Sequence, residues 1–143
     1  MDLNTFARRM EQRAKRIPIA VNEIKKEIVA AIGNDLIDVT PVDTSEALSN
    51  WQGSIGAPAA FAIPAIVAGE RGSTQAASAV EAKGHLERVL ADVLPGEAVF
   101  LSNAAPHIVA LNDGSSKQEP RGFVERAVLR GRLALKNAKL KLD

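Results

Sequence analysis

Large apolar residues recur at steps of three, four and seven near the start of the chain. The positions are Leu3, Phe6, Met10, Ile17, Val21, Ile24, Ile28 and Ile32. This spacing places them along one side of an α-helix. Pro18 lies inside the stripe, and a proline removes a backbone donor and crowds the preceding turn. We therefore expect a helix that kinks there, or that ends near Arg16 and restarts, with the second part reaching about Val39.

The next residues contain signals that end a helix. They read Thr40-Pro41-Val42-Asp43-Thr44-Ser45. Pro41 disfavours helical geometry at Thr40. Asp43 and Thr44 are residues whose side chains close tight turns. A turn is therefore predicted to follow the first helical region.

Three short runs are candidate β-strands. The first spans residues 47–55, where the apolar spacing fits a helix as well as a strand, and the β-forming Trp51 and Ile55 favour a strand. The second, residues 63–67, lies among prolines and suits the edge of a sheet. The third is the apolar run 98–102, which we expect to be buried.

Three further helices follow from the same pattern. Ser73 is expected to cap a helix to about Leu94, Pro106 to begin a short helix that ends near Gly114, and Phe123–Leu142 to form the last helix. The apolar positions expected on their inner sides are Ala76, Val80, Leu86, Val89, Leu90 and Val93 in the middle helix, and Val124, Val128, Leu135 and Leu142 in the last one. The pattern predicts a single domain, residues 1–143, with an α+β fold. It would contain an antiparallel sheet of three to four strands flanked by a long N-terminal helix, a middle helix and a C-terminal helix.

Composition restricts the chemistry of the chain. Aromatic residues make up 3% of the 143 positions and there is no cysteine. The core must therefore be aliphatic, and a disulfide scaffold or a thiolate metal site is excluded. Trp51 is the single tryptophan, and we expect it to be largely buried against the N-terminal helix. The absence of cysteine fits a reducing cytosol as the place of synthesis. No signal peptide or membrane span is expected.

Charge is unevenly distributed although the chain carries a net charge of only +1. Residues 1–32 have seven basic and four acidic residues, net +3, and residues 121–143 have seven and two, net +5. Residues 33–100 have three basic and nine acidic residues, net −6. Basic ends around an acidic middle suit contacts between neighbouring molecules, and solvated helix faces explain the same pattern equally well.

The sequence indicates no catalytic, cofactor-binding or metal site. His85 and His107 lack metal-ligand spacing. The glycine-flanked run at residues 69–74 lacks the lysine of a phosphate-binding loop. No nucleophile, base and orienting group occur in a recognisable arrangement, so we expect a protein without enzymatic activity.

The most informative stretch runs from Phe100 to Gly122. It reads Phe-Leu-Ser-Asn-Ala-Ala-Pro-His-Ile-Val-Ala-Leu-Asn-Asp-Gly-Ser-Ser-Lys-Gln-Glu-Pro-Arg-Gly. A strand is predicted to enter a helix through Asn103 and Pro106, and Gly114 is free to take the positive φ that ends this helix. An exposed polar loop, residues 115–122, follows.

This stretch resembles the neck and tail-completion (tail-component) family of tailed bacteriophages. Members show a strand, then Asn-x-x-Pro-aromatic-Ala, then Leu-x-x-Gly-x-Ser-x-Gln-x-Pro-x-Gly. Residues 40–44 are similar to the family's Thr-Pro-Val-Asp-Thr-Gly turn, and residues 72–77, Gly-Ser-Thr-Gln-Ala-Ala, to the entry of its middle helix. Three residues depart from the pattern: Ser45 stands in place of Gly, His107 in place of Tyr, and Asn112 where an acidic residue is common.

The resemblance implies a structural role at the head–tail junction. Members form rings around the DNA passage and complete or join tails. The expectation is a homo-oligomeric ring, six- or twelve-fold, in the neck or tail region of the virion. It would contact other neck, connector or tail-tube proteins and let double-stranded DNA pass without specific binding.

The residues expected to contact neighbouring subunits lie in this stretch: Asn103, Pro106, Gly114, Lys117, Gln118, Pro120, Arg121 and Gly122. Pro106 and Gly114 also have an ordinary role in beginning and ending a helix. The alternative function is a small nucleic-acid-binding protein that uses the basic C-terminal helix. In that case Arg126, Arg130, Lys136 and Lys139 would contact phosphates.

Overall fold

A computed structural model describes residues 1–142 and contains, within that range, five helices and one two-stranded sheet. In chain order the elements are α1 (Leu3–Val39), α2 (Glu46–Ser49), β1 (Gln52–Ile55), α3 (Gln75–Ala91), β2 (Val99–Ser102), α4 (Ile108–Asn112) and α5 (Phe123–Asn137).

The sheet is smaller than the sequence pattern indicates. β1 and β2 pair antiparallel, with Gln52 opposite Ser102 and Ile55 opposite Val99. The expectation of three to four strands is wrong, because the run at residues 63–67 does not join the sheet. The fold is mixed and rich in helix.

Side chains satisfy the backbone of that third run in place of a neighbouring strand. The carboxamide of Asn50 accepts from the Ile63 amide and donates to the Ile63 carbonyl, each at 2.8 Å. The hydroxyl of Ser78 accepts from the Val67 amide at 3.1 Å. These bonds fix an irregular segment and leave its polar groups without need of strand pairing.

The N-terminal helix is continuous through Pro18, so the predicted end near Arg16 and restart does not occur. All residues from Met1 to Ile19 are exposed. The carbonyl that loses its helical partner at Pro18, that of Ala14, therefore lies where water can solvate it, which lowers the cost of an internal proline.

The core lies where the C-terminal half of α1 meets α3, α5 and the sheet. One cluster includes Leu36, Ile37, Leu48, Trp51 and Phe123, and a second consists of Leu86, Leu90 and Val93. Trp51 is 7% exposed and donates from its indole nitrogen to the Thr40 hydroxyl at 2.8 Å. The prediction that Trp51 is buried against the N-terminal helix is confirmed.

Two inner faces differ from those predicted. In α3, Leu86 and Leu90 are buried as expected, but Val80 is 69% exposed. In α5 the buried positions are Phe123, Ala127 and Gly131, four residues apart, whereas Val128 and Leu135 face outward. The small residues Ala127 and Gly131 let α5 approach α1 closely. A pattern of large apolar residues does not include such positions.

Candidate functional site

The turn that follows α1 is the point where the three family-like segments meet. Asp43 binds the first residue of the second segment through its backbone and the residue before that segment through its side chain. Its carboxylate accepts from the Arg71 amide at 2.7 Å, and its carbonyl accepts from the Gly72 amide at 2.8 Å. Residues 40–44 and 72–77 are therefore joined directly although about thirty residues separate them.

Ser45 strengthens the same junction. Its φ is +72°, the left-handed region that favours glycine. Its hydroxyl lies 2.9 Å from the hydroxyl of Thr74. The turn thus keeps the conformation for which the family pattern has a glycine, and the serine adds a hydrogen bond that glycine cannot make.

Gln118 connects the third segment to this turn. Its carboxamide accepts from the Val42 amide at 2.9 Å and donates to the Val42 carbonyl at 3.0 Å. This paired contact copies the pattern of a backbone ladder. Gln118, predicted as a contact between subunits, therefore has a bonding role within the chain, which its position in a polar loop did not indicate.

Asn103 makes the second connection from this segment. Its side-chain amide donates to the Ala47 carbonyl at 2.8 Å, and its side-chain oxygen accepts from the Ala105 amide at 3.0 Å. The second bond closes an Asx turn that leads the chain out of β2. Pro106, which follows this turn, is exposed.

Two glycines set the ends of the polar loop. Gly114 has φ +95° and Gly122 has φ +83°. The Gly122 amide donates to the Asn112 carbonyl at 2.7 Å. The two ends of the loop 115–122 are thus held together, as expected for a compact surface loop.

Asn112 fastens the end of α4 to the start of α5. Its side-chain oxygen accepts from the Val124 amide at 3.0 Å, and its nitrogen donates to both carboxylate oxygens of Glu125 at 3.0 Å. These hydrogen bonds lower the pKa of Glu125. An acidic residue here, as is common in the family pattern, could not donate to Glu125. Sequence reasoning missed this contact because nothing in the spacing pairs Asn112 with Glu125, which lies three residues after Gly122.

Of the predicted contact residues, Lys117, Pro120 and Arg121 remain on the surface. Lys117 has no side-chain partner among residues 1–142. Arg121 makes a minor contribution to lowering the pKa of Glu125. The loop therefore presents two cations to solvent beside the junction.

A shallow groove of about 310 Å³ runs between the turn and the polar loop. Its lining is contributed by the turn, by α4 with the residues before it, and by the polar loop: Pro41, Val42, Asp43, Thr44, Ser45, Glu46, Ala47, Ala105, His107, Ala110, Leu111, Ser115, Ser116 and Gln118. Several of these polar groups already bond within the chain. In residues 1–142 there is no group of His, Cys, Asp or Glu that could hold a metal ion.

The basic C-terminal helix is partly neutralised within the chain. Arg126 pairs with Glu119 at 2.8 Å, and Arg130 pairs with Asp35. Lys136 and Lys139 are exposed. Two of the four cations considered for phosphate binding thus have acidic partners in the fold.

Comparison of the chain with protein-family models, with curated proteins and with solved structures gave no match. Across residues 1–142, every helix is too short or too polar to cross a bilayer.

Proposed function

We propose that this chain is a structural subunit of a phage neck or tail-completion ring at the head–tail junction. In this role it joins or terminates the tail around the DNA passage. The proposal rests on the resemblance of three segments to the family pattern, in the family's order.

The observation that carries the proposal is the convergence of those segments in space. The Asp43 carbonyl binds Gly72 of the second segment, and Gln118 binds the turn from the third. Residues chosen for a sequence pattern alone are thus found to bond to one another. Such mutual bonding is the expected reason for a recurring polar pattern in loops, where packing imposes little on the sequence.

The surface chemistry favours assembly over catalysis. The groove beside the junction lacks a nucleophile hydrogen-bonded to a base within the described residues. Helices α1, α3 and α5 instead expose large apolar side chains, among them Phe6, Val80 and Leu133. Where such side chains form a continuous patch, they provide surface for protein contacts.

The internal ion pairs of Arg126 and Arg130 weigh against the nucleic-acid-binding alternative. Charges already paired in the fold release fewer counterions when a phosphate approaches. Retention of the purified chain on duplex DNA that falls steeply with salt would favour that alternative.

The test is to remove the coding sequence, induce particle formation and image the products by negative-stain electron microscopy. We expect separate filled heads and tails, with joining restored by the wild-type chain supplied in trans. Normal joined particles in its absence would overturn the proposal.

A further inference from the structure

The segment that follows α5 returns to the first half of α1. Residues 138–142 have no regular secondary structure. The Arg16 guanidinium donates to the Leu142 carbonyl at 2.7 Å, across 126 positions of sequence. Leu142 also lines a groove of about 430 Å³ together with Phe6 and Met10. The fold therefore brings together the two parts of the chain that carry an excess of basic residues.

Cations are concentrated where these two parts meet. We call the surface formed by residues 1–19 and 132–142 the basic end. Residues 1–19 carry five basic and two acidic residues, net +3, and residues 132–143 carry four and one, also net +3. Every lysine and arginine of the basic end is exposed.

Most of these cations lack an acidic partner in the fold. Lys15 pairs with Glu11 at 3.2 Å, and Arg16 bonds a carbonyl rather than a carboxylate. Cations beside the core differ, since Lys83 and Arg126 each pair with a carboxylate. Those of the basic end that make no ion pair or side-chain hydrogen bond within residues 1–142 are Arg8, Arg9, Arg132, Lys136, Lys139 and Lys141. A surface with this much unpaired charge of one sign repels copies of itself and attracts an anionic surface.

Two carboxylates border the inner edge of the basic end. Glu23 and Glu27 line a groove of about 380 Å³ with Lys139 and Lys141. Arg9 lies fourteen residues before Glu23 on the same helix, a distance of about 21 Å at 1.5 Å per residue. Exposed charges are largely screened beyond about 8 Å at physiological ionic strength. The outer part of the basic end therefore remains positive.

Large apolar side chains are exposed among the same cations. They are 41% to 86% exposed and include Leu3, Phe6, Met10, Leu133 and Leu140. Contacts to a phosphate backbone come from cations and other hydrogen-bond donors, and they give such side chains no partner. A protein interface uses both kinds of residue, with apolar side chains at its centre and polar or charged ones at its rim. The mixture therefore favours a protein partner over a nucleic acid.

We infer that the basic end docks on an acidic surface of a different protein of the assembly, one whose carboxylates surround an apolar patch. The basic end of a second copy is not such a surface, because like charges would meet. Residues 77–91, which include most of α3, carry two acidic and two basic residues and so give no net attraction. The inference rests on the proposed function, to which it adds the surface that meets a neighbouring protein and the chemistry of that neighbour.

Charge reversal tests whether the basic end is required. Arg9→Glu and Lys139→Glu, each alone, change a cation that is exposed and unpaired within the described chain. Supplied in trans to particles that lack the chain, each should lower the yield of joined particles by about tenfold or more, because like charges then face each other across the contact. Arg88→Glu makes the same change at an exposed position of α3 and is the matched control, which should join particles normally. Circular dichroism should show all three proteins folded, and joining at the wild-type level by both variants of the basic end would overturn the inference.

Carbodiimide cross-linking of purified particles identifies the class of partner, because the reagent joins a lysine amine to a carboxylate in contact with it. Mass spectrometry should find Lys136, Lys139 or Lys141 linked to Asp or Glu of a different protein. Lys83 and Asp38, 2.6 Å apart, provide the internal control for the reaction. Links to second copies of this chain only, or no links from these lysines where the control pair is linked, would overturn the inference. Ultraviolet cross-links from the basic end to DNA would overturn it as well.

These outcomes separate the inference from the proposed function. Particles that contain the chain and need it for joining, but lack these cross-links, would retain the neck role and reject this surface. Cross-links to an acidic protein in particles that join normally without the chain would do the reverse.

Discussion

At the scale of single residues, the polar side chains of the junction act mainly by satisfying backbone groups. Gln118 bonds both the amide and the carbonyl of Val42, a residue that is 4% exposed. Composition places such a glutamine in a surface loop and does not indicate its partner, which lies 76 positions away. Sequence pattern singled out this residue, but only the fold shows the bonds it makes.

Replacement of Gln118 by Ala should therefore destabilise the folded chain. Two backbone groups lose their partners at a partly buried site, and we expect a loss of about 1–3 kcal/mol in the free energy of unfolding. Lys117→Ala, one position away and on the surface, is the control and should change it by less than about 0.5 kcal/mol. Chemical denaturation measures both. Equal stability of the two variants would show that the Gln118 bonds do not support the fold.

Ser45 combines a left-handed backbone with a hydrogen bond to Thr74. Ser45→Gly keeps this backbone conformation but removes its strain and the hydrogen bond, so strain relief and bond loss of about 1 kcal/mol each should nearly cancel. Ser45→Ala keeps the strain and loses the bond, and should cost about 1–2 kcal/mol. Thermal melting should rank alanine below glycine. The opposite order would contradict the role assigned to the backbone conformation.

Glu125 gives the junction a dependence on pH. Hydrogen bonds from Asn112 lower its pKa below the ordinary value of 4.5. Its stabilising effect is therefore complete above that value and is lost as the pH falls through the lowered pKa. Glu125→Gln should be less stable than the wild type at neutral pH, and the difference should vanish in acid. Denaturation curves at a series of pH values test this, and a difference that stays constant with pH would rule it out.

At the scale of elements, hydrophobic spacing predicted the helices better than the sheet. The stripe from Leu3 to Ile32 indicated a helix, and the antiparallel pair of strands lies where two of the three candidate runs were placed. The prediction of a strand at residues 63–67 was wrong because side chains such as Asn50 bond the backbone there in place of a partner strand. Pro18 does not end the helix, and its surroundings are exposed, so water can solvate the carbonyl that it leaves without a partner.

Close packing of α1 on α5 predicts that alanine has opposite effects on stability at Gly131 and at Gly84. A β-carbon at Gly131 would overlap the Ile32 side chain, whereas one at Gly84 has open space except for Arg88. Gly131→Ala should cost about 1–3 kcal/mol through overpacking. Gly84→Ala should instead stabilise by up to about 1 kcal/mol through helix propensity. Urea unfolding of the pair tests this, and stabilisation by both changes would contradict the assigned helix contact.

At the scale of the whole molecule, the chain has a small core at one end and uncovered apolar helix faces elsewhere. The buried clusters lie around the C-terminal half of α1, and the exposed residues 1–19 lie outside them. The basic and acidic regions were visible in the sequence. Only the fold shows that the basic residues before Pro18 lie on an exposed part of α1, because exposure depends on which helix faces the core covers. A chain of this form fits the proposed role, in which neighbouring molecules would cover the exposed apolar residues.

Location in the particle tests this account most directly. On the proposed function the chain is part of a phage particle, so particles purified from a culture that produces the chain would be labelled with a gold-conjugated antibody against it and imaged by electron microscopy. The account predicts gold at a single position, the junction between head and tail, in joined particles. Absence of the chain from particles, or gold distributed over the capsid or along the tail, would contradict it.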